Sequence, residues 1–185
     1  MLTEYYFDIE TVPLELYRNV EKAGTDPSMA KIISIQYQHL DGRTGQPFGE
    51  LQILKEWESS EKTIVEQFRQ VYLTGIEWDF IPIGNNLLFE SRFMKHKLKQ
   101  YCNAEGLKLG QRPMIDLKHT LVMANNGSFK GYDRLLGKSS LAANMAEWYY
   151  SKNYSMIEQY ITKEASDFIK AYAVLKRELP GISLL

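Results

Sequence analysis

The chain has 185 residues, 44% of them hydrophobic and 24% charged, with a formal net charge of −1. That length can bury a sizeable core, and the near-neutral balance excludes a global basic field, so a nucleic-acid partner must be met by a local patch or through metal. The lone cysteine, Cys102, excludes an internal disulfide and any cysteine-based zinc site, and it fits a reducing cytosol.

In chain order, Tyr5-Tyr6-Phe7 is an apolar, β-prone run that leads into Asp8-Ile9-Glu10-Thr11. Side chains alternate along a strand, so the carboxylates of Asp8 and Glu10, spaced i, i+2, point to one side. Like charges that close repel, and a half-buried pair of them calls for a cation. Oxygen-only donors select a hard ion, Mg²⁺ or Mn²⁺. The alternative is an acidic strand end in solvent. Residues 11–30 contain Pro13, Gly24, Asp26 and Pro27 and read as a long connection, with a helical turn over 14–22. Residues 31–40 form a strand, 41–45 a hairpin loop rich in turn residues, and 50–54 an antiparallel return. A helix starts near Ser60 and turns Ile64, Val65 and Phe68 inward.

Residues 78–83 are a fourth strand, ended by Gly84-Asn85-Asn86, and a helix follows over 87–105. Glu90 falls in its first turn, where a carboxylate also suits the helix dipole. Phe89 is placed to anchor the turn in the core. Residues 114–116 form a short fifth strand, with Asp116 placed to cap a helix over 117–124. Short helices are expected over 132–136 and 141–150. Between these elements, Phe129-Lys130-Gly131-Tyr132 interleaves basic and aromatic residues, which suits Lys130 to a phosphate contact. In the last helix, 156–178, the apolar stripe is Ile157, Ile161, Phe168, Tyr172 and Leu175. Tyr160, Glu164 and Asp167 lie along one flank of that stripe, from which a side chain can reach a cleft.

The order is a β-hairpin meander followed by alternating strands and helices. It predicts an α/β layer architecture with a mixed sheet of about five strands. Residues 1–185 are expected to form a single domain. No stretch is apolar enough to span a bilayer, and no basic segment precedes an apolar one at the N-terminus, so a cytoplasmic protein without a signal peptide is expected.

Three segments together, Phe7-Asp8-Ile9-Glu10-Thr11, the frame Gly84-x-Asn86-x-x-Phe89-Glu90 and Tyr160-x-x-x-Glu164, resemble the DEDD superfamily of 3′–5′ exonucleases. The resemblance runs over essentially the whole chain and is to the branch with tyrosine in its third motif. The histidine branch needs Asp five residues after His, and His39, His96 and His119 all lack it. The resemblance implies an RNase H-like, three-layer fold in which carboxylates hold two divalent ions, Mg²⁺ or Mn²⁺, for two-metal hydrolysis of single-stranded DNA or RNA ends. It implies that Asp8 bridges both ions, Glu10 and Glu164 serve the first, and Glu90 serves the second through water. It also implies that Tyr160 orients the attacking water, with Asp167 as a substitute for Glu164. Thr11, Val12, Asn86 and Phe89 are implied near the terminal nucleotide. Glu stands where the family has Asp at both 90 and 164. The added methylene moves each carboxylate by ~1.5 Å and favours Mn²⁺, whose coordination is more forgiving. The two replacements also motivate an alternative, a catalytically reduced module that binds nucleic acid or protein. A second alternative is an RNase H-like endonuclease. Any polymerase or repair complex would be a partner in trans.

Overall fold

The computed structural model describes residues 3–76, 78–103, 112–124, 126–127 and 144–178. Its strands are β1 (Glu4–Pro13), β2 (Ala30–Leu40), β3 (Gln52–Lys55), β4 (Ile81–Gly84) and β5 (Ile115–Asp116). They form one five-stranded sheet in the order β3-β2-β1-β4-β5. β2 is antiparallel to both neighbours, whereas β4 runs parallel to β1 and β5 parallel to β4. The helices are α1 (Glu61–Tyr72), α2 (Leu87–Cys102), α3 (Leu117–Ala124), α4 (Met145–Tyr150) and α5 (Tyr154–Glu178). This mixed α/β sheet with flanking helices is the expected architecture. Among the described residues, no helix is long and apolar enough to cross a membrane.

The central strand shows why the fold takes this form. Alternation along β1 sends Phe7 and Ile9 to one face, where they pack with Ile32 and Ile35 of β2, Ile64, Val65 and Phe68 of α1, and Leu87, Phe93 and Met94 of α2. The even positions face the other way. Tyr6 joins Leu117 of α3 and Phe168 and Ile169 of α5, while Val12 joins Met145, Ile157 and Ile161. Each fully buried side chain of this size contributes about 1.5–3 kcal/mol. Asp8 and Glu10 sit on that second face, between its two apolar clusters. A central strand is covered on both faces, so its carboxylates meet whatever packs above them.

Two polar contacts fix α5 across the sheet. Near its C-terminal end, the Tyr172 hydroxyl donates to Glu4 Oε2 at 2.8 Å and Lys176 Nζ donates to Glu4 Oε1 at 2.7 Å. Near its N-terminal end, Glu158 pairs with Lys55 of β3 at 3.0 Å. Glu164 lies between these anchors, over β1. On the opposite face, buried Lys97 pairs with Glu61 at 3.1 Å and donates to the Ala30 carbonyl at 2.8 Å, tying α2 to α1 and to the start of β2.

The structure corrects several boundaries. β1 does not end at Glu10 but continues to Pro13. Its register with β2 shifts between Glu10 and Thr11, where Ile33 is the extra residue, a bulge that keeps the pairing going. β4 is shorter than expected, and α2 ends at Cys102 because Asn103 turns left-handed (φ 47°). The expected helical turn over 14–22 is one 3₁₀ turn, Glu15–Tyr17, followed by another at Ala23–Thr25. α1 starts after Ser60 as expected, and the Ser60 side chain caps it by accepting from the Thr63 amide at 3.1 Å. The expected helix over 132–136 lies outside the described residues.

At Gly84, β4 passes so close to β1 that a Cβ would sit 2.7 Å from the Phe7 carbonyl oxygen and 2.6 Å from Leu87 Cδ2. The Phe7 carbonyl cannot move without dragging Asp8. Gly84→Ala is therefore expected to destabilise the protein by about 2 kcal/mol, which a urea melt would register as a lower midpoint with unchanged slope.

Candidate metal centre

The site is built from two elements. β1 supplies Asp8 and Glu10, and α5 supplies Glu164. Each offers a carboxylate oxygen, and the three atoms lie within 4.8 Å of one another. All three side chains are half-buried, open enough for an ion and its ligands to enter. The donor set is all oxygen and all anionic, with no His or Cys, which is the chemistry of a hard divalent cation rather than of zinc or copper. The residues therefore fit Mg²⁺ or Mn²⁺.

Two tyrosines frame the trio. Tyr160, one turn before Glu164 on α5, stands beside the Glu164 and Glu10 carboxylates. Burial pushes its hydroxyl well above the ordinary tyrosine range, and the charges of Glu10 and Glu164 push it further. It stays a neutral hydroxyl at any physiological pH. Tyr6 is buried beneath the cluster and its hydroxyl donates to Asp8 Oδ2 at 3.4 Å. Burial raises its hydroxyl too, followed by the charges of Asp8, Glu164 and Glu10. Sequence reasoning missed Tyr6. The signal was available, since a residue two before Asp8 on a strand shares its face.

The other expected site residues fall elsewhere. Glu90 is not part of the trio; it is 3% exposed in the first turn of α2, on the helix face that also buries Leu87, Phe93 and Met94. Asp167 is not brought together with Asp8 and Glu10. It lies outside the trio and is engaged by Lys163 one turn before and by Lys170 at 4.0 Å. Val12 is 0% exposed under Ile157 and Ile161, so it cannot touch a nucleotide; the continuing strand carries it beneath α5. Alternation sends Thr11 to the opposite face from Asp8 and Glu10, where its hydroxyl donates to the Gly24 carbonyl at 2.7 Å. Phe89 packs on Phe93 with ring centroids 4.8 Å apart, anchoring the turn as expected. Lys130 lies outside the described residues.

Asn86 stands at the N-cap position of α2, but its side chain makes no capping bond. It sits left-handed (φ 66°) and its Oδ1 accepts from Lys118 Nζ at 2.8 Å. Asp116 does the capping for two helices at once. Its Oδ1 accepts from the amides of Asn86 (2.8 Å) and Lys118 (3.0 Å), and its Oδ2 from the amide of Leu87 (2.9 Å). One carboxylate thus clamps the β4–α2 turn to the start of α3.

No family model matches this chain, and no curated protein matches it in sequence. Solved structures do match. An exonuclease I, whose structure suggests how processivity is achieved, aligns with a TM-score of 0.50 at 11% identity, over 67% of this chain and 30% of that one. An apo exonuclease I aligns with a TM-score of 0.49 at 11% identity, over 71% of this chain and 32% of that one. The chain thus spans about a third of the length of these neighbours. At this identity, what the first of them shares with the chain is the fold.

Proposed function

We propose that this chain is a metal-dependent nuclease that removes nucleotides from the 3′ end of single-stranded DNA or RNA. The observation that carries the reading is the convergence of Asp8, Glu10 and Glu164, from opposite ends of the chain, with ligand oxygens within 4.8 Å of one another and Tyr160 beside them. The neighbour that shares the fold is an exonuclease, which supports the same reading.

Bound divalent ions would activate a water and stabilise the leaving oxygen of the phosphodiester. The chain's own groups do the rest. Asp8 and Glu10 present their carboxylates from a rigid central strand, so little reorganisation is needed when an ion arrives. Glu164 closes the trio from α5, itself pinned at Glu4 and Lys55. The Tyr160 hydroxyl keeps its proton and so cannot act as a general base. It orients the attacking water. Tyr160→Phe is expected to lower kcat about 100-fold, the effect of an oriented group misplaced, with Mn²⁺ affinity unchanged by calorimetry.

A second reading is a reduced module that binds nucleic acid without cutting it. The buried position of Glu90 outside the trio favours it, because that carboxylate could then reach a second ion only through water. A 5′-end-labelled single-stranded oligonucleotide with Mg²⁺ or Mn²⁺ distinguishes the two. A ladder receding from the 3′ end is the expected result. Retained binding without cleavage would establish the reduced module, and internal cuts would establish an endonuclease.

A further inference from the structure

Two buried polar side chains of β2, Ser34 and Gln36, are each 0% exposed. Ser34 Oγ, Gln36 Nε2 and Gln36 Oε1 find no hydrogen-bond partner among the described residues. Leaving buried donors and acceptors unmade is costly, and an apolar side chain of the same shape would make a more stable sheet. Their neighbours Ile32, Ile33 and Ile35 are such residues. The register explains the exception. Gln36 lies directly opposite Asp8 and Ser34 directly opposite Glu10. Opposed residues of an antiparallel pair share a face, with Cβ atoms about 4.5–5.5 Å apart. Both uncommitted groups therefore stand beside the two ligand carboxylates, on the side away from β4.

We infer that Gln36 and Ser34 are positioning residues for the carboxylate pair. When Asp8 and Glu10 close on a divalent cation, the Gln36 amide donates to Asp8 and the Ser34 hydroxyl donates to Glu10. These donors fix the orientation in which the carboxylates hold the ion. The inference rests on the reading of the trio as a metal centre, and it adds a layer of donors on β2 that the acidic motif does not contain. It also makes the polar pair a stability sacrifice that only the cation-loaded protein recovers.

The test uses the full chain, with thermal melts in chelator and calorimetric titration with Mn²⁺. Gln36→Met keeps the length of the side chain and removes its amide. The expected result is a split: a Tm in chelator about 2–4 °C higher and an Mn²⁺ Kd weakened about 10-fold, the scale of losing a donor to a metal ligand. Ser34→Ala, acting through Glu10, is expected to move both readouts the same way, and it carries the test should Gln36→Met fail to fold. Unchanged Mn²⁺ affinity in a folded variant would overturn the inference. So would a lower Tm in chelator together with weaker binding, which marks an ordinary core residue. A wild-type chain that takes up no Mn²⁺ would overturn the metal centre itself, and that failure is visible without any variant.

Discussion

Asp8→Asn is expected to reduce hydrolysis at least about 1,000-fold, the upper end of the loss from removing one preorganised charged group, while leaving the fold intact. The substitution keeps the shape of the side chain and the contact from the Tyr6 hydroxyl, and removes only charge. In the wild type, three carboxylates with oxygens within 4.8 Å repel one another when no cation is present. Taking one charge away relieves that repulsion, so the Tm in chelator is expected to stay level or rise. Adding Mn²⁺ should then separate the proteins. A ligand that binds only the folded state raises stability in proportion to its affinity, so the wild type gains and Asp8→Asn does not. Near wild-type turnover in Asp8→Asn would contradict the assignment of Asp8 to the centre. A collapse of stability in chelator would show that Asp8 serves the fold instead.

Asp116→Ala is expected to have the largest effect on stability, about 3–4 kcal/mol. Three backbone amides donate to its carboxylate, and two helix starts lose their cap together. Each buried donor left unmade costs about 1–3 kcal/mol, with part of the sum recovered as the exposed end of α3 takes up water. For a chain of this size the Tm should fall by on the order of 10 °C. Asp116→Asn keeps acceptor oxygen at the turn but loses the charge assistance, so it is expected to recover about half of the loss. The left-handed Asn86 sits inside this clamp, and so the β4–α2 turn should open first. A urea midpoint equal to wild type in Asp116→Ala would show that the turn holds without it.

Much of the architecture was legible because it depends on short-range pattern. Period-2 alternation through Asp8 and Glu10 placed the acidic pair on one face. The 3.6-residue stripe of α5 put Tyr160 and Glu164 on its flank, and Ser60 marked the start of α1. What the sequence did not reveal depends on tertiary packing. Nothing local says that β2 carries an extra residue at Ile33, so the strand seemed to stop at Glu10 and Val12 looked available to a ligand. Glu90 sits in a good motif frame, but frame does not report which way a helix rolls on its sheet, and this one rolls Glu90 inward. Glu164 and Asp167 were nearly equivalent by spacing. Lys163 and Lys170 broke the tie, because they hold Asp167 on the outer side. Asp116 was seen as a cap for the helix after it. That it also caps α2, thirty residues earlier in the chain, follows from β4 and β5 lying side by side, which no local pattern encodes.

The central claim is that Asp8, Glu10 and Glu164 share a divalent cation. Anomalous diffraction from crystals soaked in Mn²⁺ and a nucleoside monophosphate measures this directly. The account predicts a manganese peak bounded by oxygens of all three carboxylates, with the nucleotide's phosphate against it. Ordered nucleotide and well-defined Asp8, Glu10 and Glu164 side chains with no manganese between them would contradict it.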